Sequence, residues 1–352
     1  MAITLRPTRR RSRFVPRLLW FLLILAALYT AAWFGAVAFA RSQAGDWLAR
    51  EAGKGRVWAC DEPNFSGFPF SLRLACANPA LTLAGDTGAN VFAAKTLFAH
   101  VDIFSPTEVN LVLGAPVSAK LRNGDTALLN ARDVRVVAGL APGGLDQALQ
   151  SLAVTTAAPD LAVTAASGRG FSARAASAHL TLAAAPGGHD LVIDADGLKL
   201  PALEQLTQSP APATLHVAGL IEKLDLPGHG GVFDRIERWR AGGGVLTLNK
   251  STLGNGVTQL EVSGPLALDE EHRPAGKLAV RLVGAGPILQ RFGVPAAVLN
   301  PGGLLGALLG KNKKPEPETE SDPAGLRLNV TLQGGKVHAG PVPLPVELKA
   351  LY

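Results

Sequence analysis

No aspartate or glutamate occurs in the first forty residues, and no P-loop, GxSxG, HExxH or SxxK signature occurs anywhere in the 352. The missing signatures leave no nucleophile with a motif-supported base, no phosphate cradle and no zinc-binding helix, so the sequence is read as that of a non-enzyme without a cofactor. Cysteine is almost absent as well. The two that occur, Cys60 and Cys76, show no CxxC spacing, and the nearest histidine, His100, follows 24 residues later, which disfavours a metal pair. Nothing near either cysteine marks it as an activated thiol. Aromatic residues make up 6% of the chain, and no basic stripe interleaved with aromatics follows residue 41, which excludes nucleic acid as the expected partner.

What the N-terminus does have is six arginines, Arg6, Arg9, Arg10, Arg11, Arg13 and Arg17, followed by 23 uncharged residues from Leu18 to Ala40. A run of that length can cross roughly 30 Å of hydrocarbon as a helix. Arginines on one flank favour the cytoplasmic side, so residues 1–17 read as a cytoplasmic tail, 18–40 as a transmembrane anchor and 41–352 as an exported domain. A cleaved secretory signal is the rival reading, since Ala38-Phe39-Ala40 fits the small-x-small pattern of a cleavage site. The apolar run exceeds a normal signal core, and Trp20 and Trp33 suit the two membrane interfaces, which favours retention. Removing the six arginines from the 34 basic residues leaves 28 against 28 acidic, so the exported part is neutral. In an oxidising compartment Cys60 and Cys76 are expected to pair, and closing that loop is worth about 3 kcal/mol.

Ser42 to Glu51 reads as a helical continuation of the anchor, and beyond Gly55 the periodicity becomes two. Leu72, Leu74 and Cys76 alternate with Ser71, Arg73 and Ala75; Leu278, Val280 and Leu282 with Lys277, Ala279 and Arg281; Leu326, Leu328 and Val330 with Arg327, Asn329 and Thr331. These are half-buried strands. Asn123-Gly124, Gly187-Gly188, Asn255-Gly256 and Gly334-Gly335 fall between such runs, where hairpin turns need positive φ. The pattern predicts a mainly β fold: an N-terminal transmembrane helix, then a long, curved antiparallel sheet of hairpins with a few short helices. Helices are expected at Gly144 to Leu152, Val232 to Arg240 and Ile288 to Phe292. The run "PGGLLGALLG" is open to two readings, a short buried helix or a membrane-dipping element, and is too short to cross a bilayer. The proline-containing, charged stretch 311–325 reads as a flexible insertion, and Pro201 to Pro212 is the best place for an internal boundary.

Three clusters have a chemical reading. His100 and Asp102 share one face of an expected strand, consistent with a metal or acid/base pair or, more simply, with a wetted face opposite Leu97, Ala99, Val101 and Ile103. Asp194-Ala195-Asp196-Gly197 resembles the start of a calcium loop, but the twelfth position is Gln205 instead of glutamate, so a strand-ending turn is the expectation. In "SGFPF", Pro69 biases Phe68 toward extended geometry. Phe68 and Phe70, with Phe65 beside them, then form either core packing or an aromatic lip to an apolar groove.

The stretch "VWACDEPNFSGFPFSLRLACANP", from Val57 to Pro79, resembles an uncharacterised family of bacterial membrane-anchored proteins found chiefly in alphaproteobacteria, domain of unknown function 2125. The anchor, the two cysteines around Ser66-Gly67-Phe68-Pro69-Phe70 and the hairpins behind them carry that resemblance, and no activity comes with it. "GPLALDEEHRPAGKLAVRLVG" and "LNVTLQGGKVHAGPVPL" resemble, in hairpin style, envelope proteins of the AsmA-like kind. That second likeness implies a lipid or another hydrophobe as ligand. The expectation is therefore an inner-membrane-anchored periplasmic β protein that accommodates a hydrophobic ligand in envelope maintenance; the alternative is a scaffold that binds an envelope protein.

Overall fold

The computed structural model describes residues 14–85, 88–141, 149–224, 232–256, 258–284 and 325–352. Its first element is a single 40-residue helix, α1 (Phe14–Gly53), which merges the expected anchor and its continuation without a break. The absence of proline after Pro16 and of charge from Leu18 to Ala40 leaves nothing to interrupt the backbone ladder. The window Leu18–Gly35 is long and apolar enough to cross a membrane, and none of it is buried in the protein.

After the turn at Lys54-Gly55 the described residues form one sheet of 18 strands. They are β1 (Arg56–Ser66), β2 (Ser71–Gly85), β3 (Gly88–Asp102), β4 (Ser105–Lys120), β5 (Thr126–Asn130), β6 (Asp133–Leu140), β7 (Leu149–Ala157), β8 (Asp160–Thr164), β9 (Gly170–Arg174), β10 (Ser177–Ala185), β11 (Gly188–Leu198), β12 (Ala213–Ile221), β13 (Leu246–Gly254), β14 (Gln259–Leu268), β15 (Pro274–Val283), β16 (Leu326–Gln333), β17 (Lys336–Ala339) and β18 (Val342–Glu347). All the pairings are antiparallel, and almost every strand pairs with its neighbour in sequence. The exception is a forked section: β4 pairs along one edge with both β5 and β6, after which β5 continues to β8 and β9 while β6 continues to β7 and β10. The four glycine turns named from sequence all join consecutive antiparallel strands, with Gly124, Gly187, Gly256, Gly334 and Gly335 at positive φ.

Among the described residues, two short helices interrupt the meander. Helix α2 (Pro201–Thr207) starts with proline in its first turn and occupies the connection between β11 and β12, which pair directly with each other. Helix α3 (Val232–Ala241), between β12 and β13, lies where the sequence places it. The helix expected over Gly144 to Leu152 is corrected at its end: Leu149–Ala157 is β7, hydrogen-bonded to β6 on one side and β10 on the other. Two flanking strand edges would otherwise be left with unpaired amides, and that tertiary demand outweighs a local helical pattern. Residues 142–148, Ile288 to Phe292, the "PGGLLGALLG" run and 311–324 lie outside the described residues.

Candidate functional site: an apolar sheet face beside the N-terminal apolar helix

Antiparallel partners lie on the same face of a sheet, so the register assigns each side chain to a side. Leu74, Ala99, Leu111, Val136, Val154, Leu180, Ile193 and Val217 are consecutive partners from β2 through β12. A parallel row begins at Leu72, Val101, Val109, Ala138, Leu152, Leu182 and Leu191. A third runs Cys76, Leu97, Leu113, Val134 and, past the single polar Thr156, continues by way of Leu215, Leu253, Leu260 and Leu282 to Leu326. One face of the sheet is therefore apolar from β2 to β16.

This face is the better covered one: Cys76, Val134, Leu182 and Ala195 on it are buried. Most of its other members, Leu74, Leu111, Val136, Val154, Leu180 and Ile193 among them, are only half-buried. The opposite face carries the row Phe98, Val112, Arg135, Thr155, His179, Asp194, His216, Thr252, Glu261 and Arg281. Its polar members bond across strands: the Thr155 hydroxyl lies 3.0 Å from His179 Nδ1, and His216 Nδ1 lies 2.7 Å from Asp194 Oδ1. A hollow between β3, β4, β5 and β8 is lined by Val91, Ser118, Lys120, Thr126, Leu128 and Thr164, with one charged group and no acid/base pair.

The rows begin next to α1. Glu51, near the helix C-terminus and 5% exposed, is paired with Arg56 at the start of β1, including a 2.7 Å bond from Nη2 to Oε1. The hydrogen bond from Arg56 holds the Glu51 carboxyl below its ordinary range and burial opposes this; the same bond raises the guanidinium. Trp47 then meets Trp58 at 5.8 Å. At the other end of β1 the tight turn places Phe68 5.2 Å from Trp33 and 6.2 Å from Tyr29, whose hydroxyl donates to the Pro69 carbonyl. Phe70 is 6.4 Å from Tyr29 and 6.1 Å from Phe104, at the adjacent β3–β4 turn. Gly67 has φ +116°, and a Cβ there would sit 2.4 Å from the Ser71 carbonyl oxygen, so only glycine fits.

At the opposite ends of β2 and β4 the sheet is tied by α3. Arg122 Nη1 donates to Asp234 Oδ1 at 2.8 Å, and its guanidinium lies 5.1 Å from the centroid of the Phe233 ring. Phe233 stacks on Tyr352 at 5.4 Å, and Tyr352 Oη donates to Glu237 Oε2 at 2.9 Å, which His272 Nε2 also meets at 3.0 Å. Hydrogen bonds from Arg240, then Tyr352, lower the Glu237 carboxyl to about 2. Burial and the bond to Glu237 push the Tyr352 phenol up to about 12.

Of the residues singled out from sequence, Phe68 and Phe70 come together against α1, and Phe65 stands opposite Leu74 on the apolar side. Cys60 and Cys76 are bonded, with Cα atoms 5.6 Å apart. His100 sits opposite Arg73 and Asn110, while Asp102 Oδ1 accepts the Phe104 amide at 3.0 Å and so closes a turn. The Asp194–Gly197 stretch does not end a strand: it lies within β11, where Gly197 at φ +63° accompanies a bulge against β12. Among the described residues no group of three or more histidine, cysteine or acidic side chains is placed to hold a metal. Sequence reading missed Ile103 and Phe104 as companions of Phe70, although a run without charge between Asp102 and Glu108 was there to be seen. It also missed the cluster around Glu237, for which no local signal exists.

No curated protein and no solved structure matches the chain. The family described as "Uncharacterized protein conserved in bacteria (DUF2125)" matches residues 33–345, so the match takes in the Phe68–Phe70 turn, both cysteines and the whole apolar face. The chain belongs to the DUF2125 family of uncharacterised bacterial proteins.

Proposed function

We propose that the chain is a membrane-tethered, non-catalytic β protein of the bacterial inner membrane, with its N-terminus cytoplasmic and its sheet in the periplasm, and that the apolar face accommodates lipid or another long hydrophobe in envelope maintenance. The observation that carries this reading is the apolar register from β2 to β16, interrupted at Thr156 alone, half-buried along much of its length and starting beside a helix apolar enough to span a bilayer. A half-covered apolar face of that extent marks an interaction surface for an apolar partner. The alternating polar face, with its cross-strand His–Asp and Thr–His pairs, suits water.

The second reading, a scaffold that recruits an envelope protein by strand addition, has less support. α1 packs along β1; a second terminal strand, β18, carries Pro343 and Pro345, which cannot donate to an added strand; and the third, β9, is five residues long and is bridged at Arg174 by Lys199. Photo-crosslinking with a diazirine-bearing phospholipid on the full chain in membranes tests the ligand. Adducts on apolar-face residues of β7, β10 and β11 support lipid accommodation, whereas adducts confined to Leu18–Gly35 overturn it.

A further inference from the structure

We propose that the β1–β2 and β3–β4 turns form a second membrane-inserting element, which dips into the exported-side leaflet beside α1. The proposal rests on α1 spanning the bilayer, and goes beyond it by placing part of the sheet in lipid. Tyr29 and Trp33 precede Gly35, the end of the apolar window, by six and two residues, or about 9 and 3 Å of helix rise. Phe68 contacts both of them, and Phe70 contacts Tyr29. The β1–β2 turn is thus level with the last turns of the spanning segment and not above them.

The neighbouring turn is fixed at the same height, because the Ile103 amide donates to the Phe70 carbonyl at 3.1 Å and Phe104 packs on Phe70. These side chains are exposed: Phe68 50%, Phe70 54%, Ile103 45% and Phe104 77%. In water that would be an unfavourable apolar patch; at a leaflet boundary it is the expected arrangement for an interfacial anchor. Charge is distributed to match. No ionisable residue lies between Glu62 and Arg73 or between Asp102 and Glu108, whereas the other ends of these strands carry Arg56, Arg122 and Asp125. The two ends of the same hairpins are therefore built for different media, and the apolar end is the one held against α1.

The consequence is a junction between the leaflet and the start of the apolar rows, since Leu72 and Val101 are the nearest row members to the two turns. A lipid chain leaving the leaflet at this point would meet apolar surface immediately.

The test uses the full chain in phospholipid vesicles. The native cysteines are bonded to each other, so single cysteines introduced as Ile103→Cys, Phe104→Cys, Leu25→Cys and Asn123→Cys each carry one NBD label. Emission wavelength and quenching by doxyl-labelled lipids are read at each site. The proposal expects blue-shifted, lipid-quenched emission at 25, 103 and 104 and water-like, unquenched emission at 123. Quenching at 25 with water-like emission at both 103 and 104 overturns it and leaves the anchor intact. Blue-shifted but lipid-insensitive emission at 103 and 104 also overturns it, because protein then covers the patch. Water-like emission at 25 removes the anchor reading and this proposal with it. Two adjacent turn positions guard against a single label that perturbs the fold.

Discussion

The Arg122 guanidinium and the Asp234 carboxylate, 112 residues apart in sequence, are joined by a 2.8 Å hydrogen bond, and each side chain is about four-fifths covered. No strand pairing joins them: Arg122 follows β4, whereas Asp234 lies on α3, which follows β12, and β12 pairs with β11 and β13. The bond therefore fastens α3 to the β4–β5 turn across the sheet.

Arg122→Ala is expected to destabilise the protein by about 1–2 kcal/mol, the combined scale of a partly covered charge-assisted bond and a cation–π contact. Chemical denaturation of Arg122→Ala, Asp234→Ala and the double variant measures it. The two single effects should sum to more than that of the double variant by about 1 kcal/mol, and strict additivity would mean that the pair contributes nothing.

The cluster around Glu237 makes stability pH-dependent at both extremes. Its carboxyl titrates at about 2 in the folded protein against an ordinary value of 4.5, so its contribution is present above 4.5 and lost as pH falls from there to about 2. Tyr352, raised from 10.0 to about 12, contributes below 10 and loses that contribution as pH rises to about 12. Tyr352→Phe should remove the alkaline loss and shift the Glu237 carboxyl upward, as read from its side-chain carbon resonance during an NMR titration.

Replacing Cys60 and Cys76 by serine together is expected to cost about 3 kcal/mol, the chain-entropy value for so short a loop. Hydrogen exchange should show the loss concentrated in β1 and the first half of β2, because the bond joins those two strands and no others. Uniform loss of protection across the sheet would mean that β1 and β2 are needed for the rest to fold.

Gly67→Ala places a Cβ 2.4 Å from the Ser71 carbonyl oxygen at φ +116°, so the turn must open. The expected cost is about 1–3 kcal/mol. Weakened packing of Phe68 on Trp33 should accompany it, visible as a change in tryptophan fluorescence that the exposed substitution Ser167→Ala does not produce.

Much of the fold is legible locally. Alternation at Leu72–Cys76, Leu278–Leu282 and Leu326–Leu332 identifies strands because side chains on a strand repeat every two residues, and paired glycine or Asn-Gly turns identify their antiparallel order. Helix α3 is legible in "VFDRIERWR" through its own periodicity. The segment from Leu149 is not, since its strand state is imposed by β6 and β10 on either side. Of the candidate site, the aromatic turn at Phe68 and Phe70 stands out in the sequence, yet its position against Tyr29 and Trp33 does not, and neither does the company of Ile103 and Phe104.

By itself, then, the sequence determined what each segment is: an apolar helix flanked by arginines, a series of amphipathic strands with hairpin turns between them, and a cysteine pair close enough to bond. Those are properties of short windows, governed by hydrophobic periodicity and local backbone preference. Only the tertiary structure decided which rows the strands form and where the ends of the sheet lie. Register aligns separate leucines and valines into one apolar face, β1 runs back along α1 to set two aromatic turns beside the membrane-length helix, and the packing of α3 joins Arg122 to Asp234. Each of those outcomes depends on contacts between residues distant in the chain, whose geometry no local window contains.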